Sequence, residues 1–186
     1  MEDDAESYIL LLLADSNLPT GSFVASSGLE SYVKHGFPAA QSSQIQATVN
    51  FLRDSLASYA RTAIPFVSDA HRAANKYAAE KKGVDETVQT LAGLDELYQA
   101  MTLNHVSRRA SMAQGVALLT LYSKGFSRPK ILSAFAVAES EKRDGRMATL
   151  LDQLKLKVRR EELSGHLPIC WGALTAALGL TLGMSN

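Results

Sequence analysis

A single cysteine, Cys170, stands among the 186 residues, so no internal disulfide can staple this chain. A lone thiol fits a reducing compartment, and a cytoplasmic location is the expectation. An excess of charge of either sign is also missing: Lys+Arg and Asp+Glu both number 19 and cancel. With no strong field, neither nucleic acid nor an anionic membrane is an expected partner. Near-zero net charge lowers colloidal repulsion and favours residence in a complex. One long uncharged run occurs, the 18 residues Leu167–Met184. It lies at the lower limit for a membrane span. Gly172, Thr175, Gly179, Thr181 and Gly183 dilute it and no basic flank follows, so a buried helix is expected. The acidic start Met1-Glu2-Asp3-Asp4 lacks the positive flank of a secretory signal.

Motifs that carry chemistry are absent as well. No GxxxxGK[ST] is present to hold a nucleotide, and no GxGxxG follows a strand. The histidines His35, His71, His105 and His166 never pair at the spacings that place two ligands on one helix face. His166 and Cys170, four apart, make the best local metal pair. A buried structural cysteine and a capping histidine are the preferred reading. No catalytic residue, metal ligand or permanently held cofactor is therefore expected, and the chain does not read as an enzyme.

What remains is helical. Over Ser42–Ile64, Ile45, Val49, Leu52, Leu56, Tyr59 and Ala63 step by three and four, while Gln44, Gln46, Asn50, Arg53 and Asp54 fall largely elsewhere. That spacing predicts an amphipathic helix facing a core. Pro65 pushes its predecessor out of the α region and predicts a helix end there. A second helix is expected from Phe66 to about Lys82, stopped by Gly83.

Thr87–Tyr122 is long and mostly apolar. Leu94, Tyr98, Met101, Met112, Val116 and Leu119 form one stripe. Leu103, Val106, Ala110, Ala113 and Ala117 form another on nearly the opposite side. Such an element is expected between layers, with one break near Gly93 or Thr102. Gly125 ends it, and Ser127-Arg128-Pro129 reads as an N-cap before a helix from Lys130 to about Ser140. The mixed-charge stretches Glu139–Arg146 and Lys155–Glu162 read as solvated surface. The expected fold is all-α, a single-domain helical bundle over residues 1–186.

Three local features invite contact. Asp15–Ser22 is dense in turn formers, and Thr20 or Ser22 can cap a helix Phe23–Tyr32 whose Ala25, Ser26, Ser27 and Gly28 admit another backbone closely. Gly165, Gly172 and Gly179, spaced by seven with Ala176 between, place small residues on one face of the last helix. Arg108 shares the face of Met101 and Met112 with His105. Either a carboxylate from another helix meets it, or that face opens to solvent or a partner.

Three segments, in this order, resemble the UreF-type urease accessory proteins: LADSNLPTGSFVASSGLESYVKHG (13–36), NHVSRRASMAQGVALLTLY (104–122) and GHLPICWGALTAALGL (165–180). The resemblance implies a nonenzymatic all-α protein. Such a protein joins a nickel-carrying GTPase and a second urease accessory protein, and the complex docks on apo-urease to deliver nickel. The UreF-type member regulates the GTPase, and nickel is handled by the complex rather than held here as a cofactor. The implied partner contacts are Pro19, Gly21, Ser22, Phe23, Ser26, Gly28 and Glu30 of the first segment, Asn104 and Arg108 of the second, and His166 of the third. Self-association into a homodimer is also implied. Where many relatives carry Glu before the Val-Ser-Arg step, this chain has His105. Relatives usually continue past the third segment with further helices, so the expectation is a chain shortened at its C-terminus, with Leu167–Met184 left without a cover. The alternative is a helical small-ligand protein or enzyme with a pocket around Tyr98, His105 and Arg108.

Overall fold

The computed structural model describes residues 2–15, 18, 28–35, 43–79, 82–126 and 138–182. They form seven helices: α1 (Glu2–Ala14), α2 (Leu29–Lys34), α3 (Gln44–Ala78), α4 (Val84–Met101), α5 (His105–Leu121), α6 (Ala138–Arg159) and α7 (Leu167–Ala177). A π-helical turn, Tyr122–Phe126, follows α5. No strand occurs among the described residues, so the fold is all-α as expected. No helix among them is long and apolar enough to cross a membrane.

The shortest apolar helix sits at the centre. In α7, Pro168, Ile169, Cys170, Gly172, Ala173, Leu174 and Ala176 are all buried. It packs chiefly on α3 and α5, with α4 and α6 closing the remaining sides. The expectation that Leu167–Met184 lies uncovered is therefore wrong over its described part. The seven-residue glycine spacing also means something else. Only Gly172 lies inside the helix, while Gly165 and Gly179 flank it at φ 72° and 76°. Gly179 closes α7 by donating to Ala176 O at 3.1 Å while Leu180 N reaches Thr175 O at 3.0 Å, a pairing that needs a left-handed residue at Gly179. Gly172 brings α7 against α3: a Cβ there would stand 2.4 Å from Val67 O and 2.8 Å from the Ala70 Cβ.

Two sequence-based boundaries fail, at Pro65 and at Gly83: the helix expected to run to about Lys82 ends at Ala78, and Gly83 is the N-cap residue of α4. Pro65 does not end a helix. It lies inside the 35-residue α3, at an exposed position, where water can satisfy the carbonyl that lost its partner. The helix starts at Ser43, whose hydroxyl accepts from Gln46 N at 3.2 Å. The long apolar element breaks at Thr102 and not at exposed Gly93. The Asn104 side chain then caps α5 by accepting from Val106 N at 2.9 Å and Ser107 N at 3.3 Å. Residues 130–137 of the expected helix Lys130–Ser140 lie outside the described residues, and its expected end is not found, since α6 runs unbroken from Ala138 through Ser140.

Burial corrects the stripes. α5 is not buried on two sides; its buried positions are Ser111, Gly115, Leu118 and Leu119, while Leu103, Val106 and Val116 are exposed. Two arginines of the charged stretch Glu139–Arg146 are structural and not merely solvated. Arg143 donates to Ala176 O at the end of α7 at 2.8 Å. Arg146 lies 4.3 Å over the Tyr77 ring and donates through Nε to Tyr77 O at 3.1 Å. A cation at a helix C-terminus meets both the free carbonyls and the negative end of the dipole.

Replacing Gly172 by Ala should cost about 1–3 kcal/mol in urea unfolding, because backbone must give way. Gly93→Ala, with nothing within 4 Å of the added Cβ on an exposed helix face, should instead stabilise by up to about 1 kcal/mol.

Candidate functional site

The path into α7 is fixed by one carboxylate. Asp95 is 2% exposed and sits on the same face of α4 as Leu91 and Tyr98. Its Oδ2 accepts from Ser164 N at 2.8 Å and Gly165 N at 3.0 Å, and its Oδ1 accepts from His166 N at 2.8 Å. The three donors are the consecutive backbone amides that lead into α7, groups outside the helix ladder that need partners of their own. A charged acceptor makes each bond stronger than a neutral one.

His166 completes the node. Leu167 N donates to Ser111 Oγ at 3.1 Å, so the Ser111 hydroxyl proton is available to His166 Nδ1 at 3.2 Å. Nε2 then carries the ring proton and donates to Gln99 Oε1 at 2.6 Å. This tautomer follows from complementarity of the partners. The Tyr98 ring lies 5.0 Å from the imidazole. Desolvation, with help from Arg108, holds His166 below the ordinary imidazole value although Asp95 pulls the other way. Cys170 is fully buried and its thiol is pushed well up by desolvation, so it is inert packing and not a nucleophile. Among the described residues no group of three His, Cys, Asp or Glu side chains comes together as metal ligands. The node's polar atoms pair with one another and with backbone: Asp95 and Ser111 accept from four consecutive amides, while the His166 ring lies between the Ser111 and Gln99 side chains.

The accessible surface next to it is apolar. Phe66 on α3 meets Tyr98 edge-on at 5.1 Å, three residues before α4 ends. The two helices run antiparallel, since Arg146 binds both Tyr77 O and Lys82 O across their junction. Residues 44–59 of α3 therefore run on about 20 Å past the end of α4, at 1.5 Å per residue. On this arm Ile45, Val49, Leu52, Leu56 and Tyr59 are exposed, Ile45 by 78% and Leu56 by 69%. The expected core-facing stripe thus faces outward from Ile45 to Tyr59, and only its last member, Ala63, is buried. Ala47 is the buried side, and Phe51 meets Tyr32 of α2 at 4.8 Å between ring centres. At the foot of the arm, Met101, Leu103 and Val106 are exposed at the α4–α5 corner. Tyr59 links the two: its ring is half exposed, yet burial of its hydroxyl end and the nearby Tyr98 push its pKa up to about 12. An apolar stripe of this length on a monomer marks an interaction surface.

Of the residues expected to touch partners, Pro19, Gly21, Ser22, Phe23 and Ser26 lie outside the described residues. Gly28 is not at a tight helix crossing; it precedes α2 at φ 94°, with only Phe51 3.9 Å from an added Cβ. Its role is the left-handed backbone. Glu30 is exposed in the first turn of α2. Asn104 is a helix cap, and His166 is 0% exposed. Arg108 is half-buried and meets no carboxylate among the described residues. It sits beside exposed Leu103 and Val106. His105 is exposed.

His71 is also held below its ordinary value, by burial first and then by Arg143 and Arg72. Its Nδ1 lies 3.0 Å from Thr175 Oγ1 of α7. Because both folded-state values are depressed, the unfolded chain binds more protons as pH falls through the ordinary value of 6.5. Stability should be flat above that pH and decline below it in urea melts. His166→Gln should flatten part of the slope.

A family model described as UreF matches residues 44–185. The chain is similar to urease accessory protein 6 of Cryptococcus neoformans var. grubii, at 38% identity over 94% of this chain and 63% of that protein. It is 28% identical to a Schizosaccharomyces pombe protein named uncharacterized urease accessory protein UreF-like, over 97% of this chain and 64% of that one. Urease accessory protein F of Oryza sativa subsp. indica matches at 34% over 62% of this chain and 38% of its own length. The chain spans less than two thirds of each of these curated relatives. No solved structure matches it. The family match begins with α3 and runs through α7, so it takes in the projecting arm, the α4–α5 corner and the Asp95 node together: the chain belongs to the UreF family.

Proposed function

We propose that this chain serves urease maturation as a nonenzymatic accessory protein. It joins a nickel-carrying GTPase and a second accessory protein, and the complex delivers nickel to apo-urease in the cytoplasm. The reading rests on one observation: the elements that match UreF are those that leave an apolar stripe uncovered. Relatives named urease accessory proteins support the same role. Regulation of the GTPase needs no catalytic group on this chain. Binding one nucleotide state more tightly than the other shifts the GTPase population by that difference in affinity. Nickel is then carried by the GTPase and passes through the assembly. In the alternative reading a ligand pocket lies near His105 and Arg108. A groove of about 570 Å³ lies elsewhere, lined by His71, Lys76, Arg143 and Leu180.

The test is nickel-dependent urease activity in cells lacking their own UreF-type protein, with this chain and its cognate partners supplied. Restored activity is expected. A soluble, folded chain that fails to rescue, and fails again with a relative's C-terminal segment appended, overturns the reading. Leu52→Asp and Leu56→Asp should each weaken copurification with the partners about tenfold or more. Their own unfolding free energy should stay within about 0.5 kcal/mol of the parent, because both sites are exposed.

A further inference from the structure

Charge that cancels over the whole chain is segregated in one place. The open groove described above runs between the last turns of α3, the first half of α6 and the residues after α7. Arg72, Lys76 and Arg143 line it, with buried His71 beneath. Arg143 is held in position by its bond to Ala176 O at 2.8 Å. Arg72 has Asp69 of its own helix at 3.1 Å, an exposed pair that an incoming carboxylate can exchange. Lys76 is exposed in the last turn of α3. The carbonyl ends of α3 and α7 add negative potential here, but Arg146 and Arg143 each take one of those carbonyls. The same arginines that line the groove, Arg143 and Arg72, hold His71 toward its neutral form.

The rim already recognises a carboxylate. Oε1 of Glu6, from α1, accepts from both Thr181 N and Thr181 Oγ1 at 2.7 Å, and Thr181 lines the groove. The spacing of the cations sets the shape of what fits. Arg72 and Lys76 are one turn apart on α3, with Cβ atoms about 6 Å from each other. Alternate side chains of an extended peptide stand about 6.6 Å apart on one side.

We propose that this groove docks an acidic peptide segment of a partner protein, its carboxylates meeting Arg72, Lys76 and Arg143. The site is separate from the apolar arm and does not depend on the maturation role.

Fluorescein-labelled hexaglutamate titrated into the intact chain, followed by fluorescence anisotropy, tests this. Saturable binding is expected, weakening as salt screens the contacts. The exposed double variant Arg72→Glu/Lys76→Glu should lose affinity by about tenfold or more, with its thermal unfolding unchanged. Hexaglutamine should not bind. Equal binding by hexaglutamine, or full binding by a folded double variant, overturns the proposal. Displacement of the peptide by inorganic phosphate beyond that by chloride at matched ionic strength also overturns it, in favour of a phosphate site.

Discussion

The carboxylate of Asp95 is the constraint on which the other contacts rest. Three consecutive amides lead into α7, the last two on buried residues, and a buried donor left unpaired costs on the order of 1–3 kcal/mol. One side chain from α4 takes all three. That fixes where α7 begins, and α7 is the helix against which α3, α4, α5 and α6 all pack. His166, Ser111 and Gln99 then join α5 to the same point, so three helices meet through polar contacts before their apolar faces are counted.

Around that node, contact is made with small residues and backbone more than with large side chains. Gly115 of α5 lets the carbonyl of Gly165 approach to 2.0 Å from where a Cβ would stand, and Gly172 does the same for α3. Close backbone approach leaves no freedom of register. The far ends of α3 and α7 are then tied by Arg146 and Arg143 from α6. The central helix is thus anchored at its start by an anion and at its end by a cation, matching the sign of its dipole at both ends.

Much of this could be read from the sequence, and the failures have specific causes. The all-helical class and the start of α3 to within two residues followed from periodicity, and Thr102 was one of two breaks that the sequence allowed. Pro65 misled because its rule is local: a helix tolerates proline when the orphaned carbonyl faces water. Periodicity also located the apolar stripe of α3 without indicating what covers it, so a surface was read as a core. The site itself was only half visible. A charge on an apolar stripe was recognised at Arg108, yet the same signal at Asp95, between Leu91 and Tyr98 on one face, is the one that marks the node. Its partners are backbone amides, and no side-chain motif announces those.

The 35-residue α3 is one continuous rod, packed against α7 over its second half, while its arm touches α2 through Phe51 and leaves one apolar stripe exposed. A helix of the arm's length is marginal in water on its own, so the arm is held straight by the part embedded in the core. Loss of the Gly172 contact or of the Asp95 node releases that embedded half, and the outward stripe frays with it. Display of the apolar surface is therefore conditional on a completed interior. On the proposed reading, a partner that grips the arm would sense, at a distance of several turns, whether the molecule beneath it has finished folding.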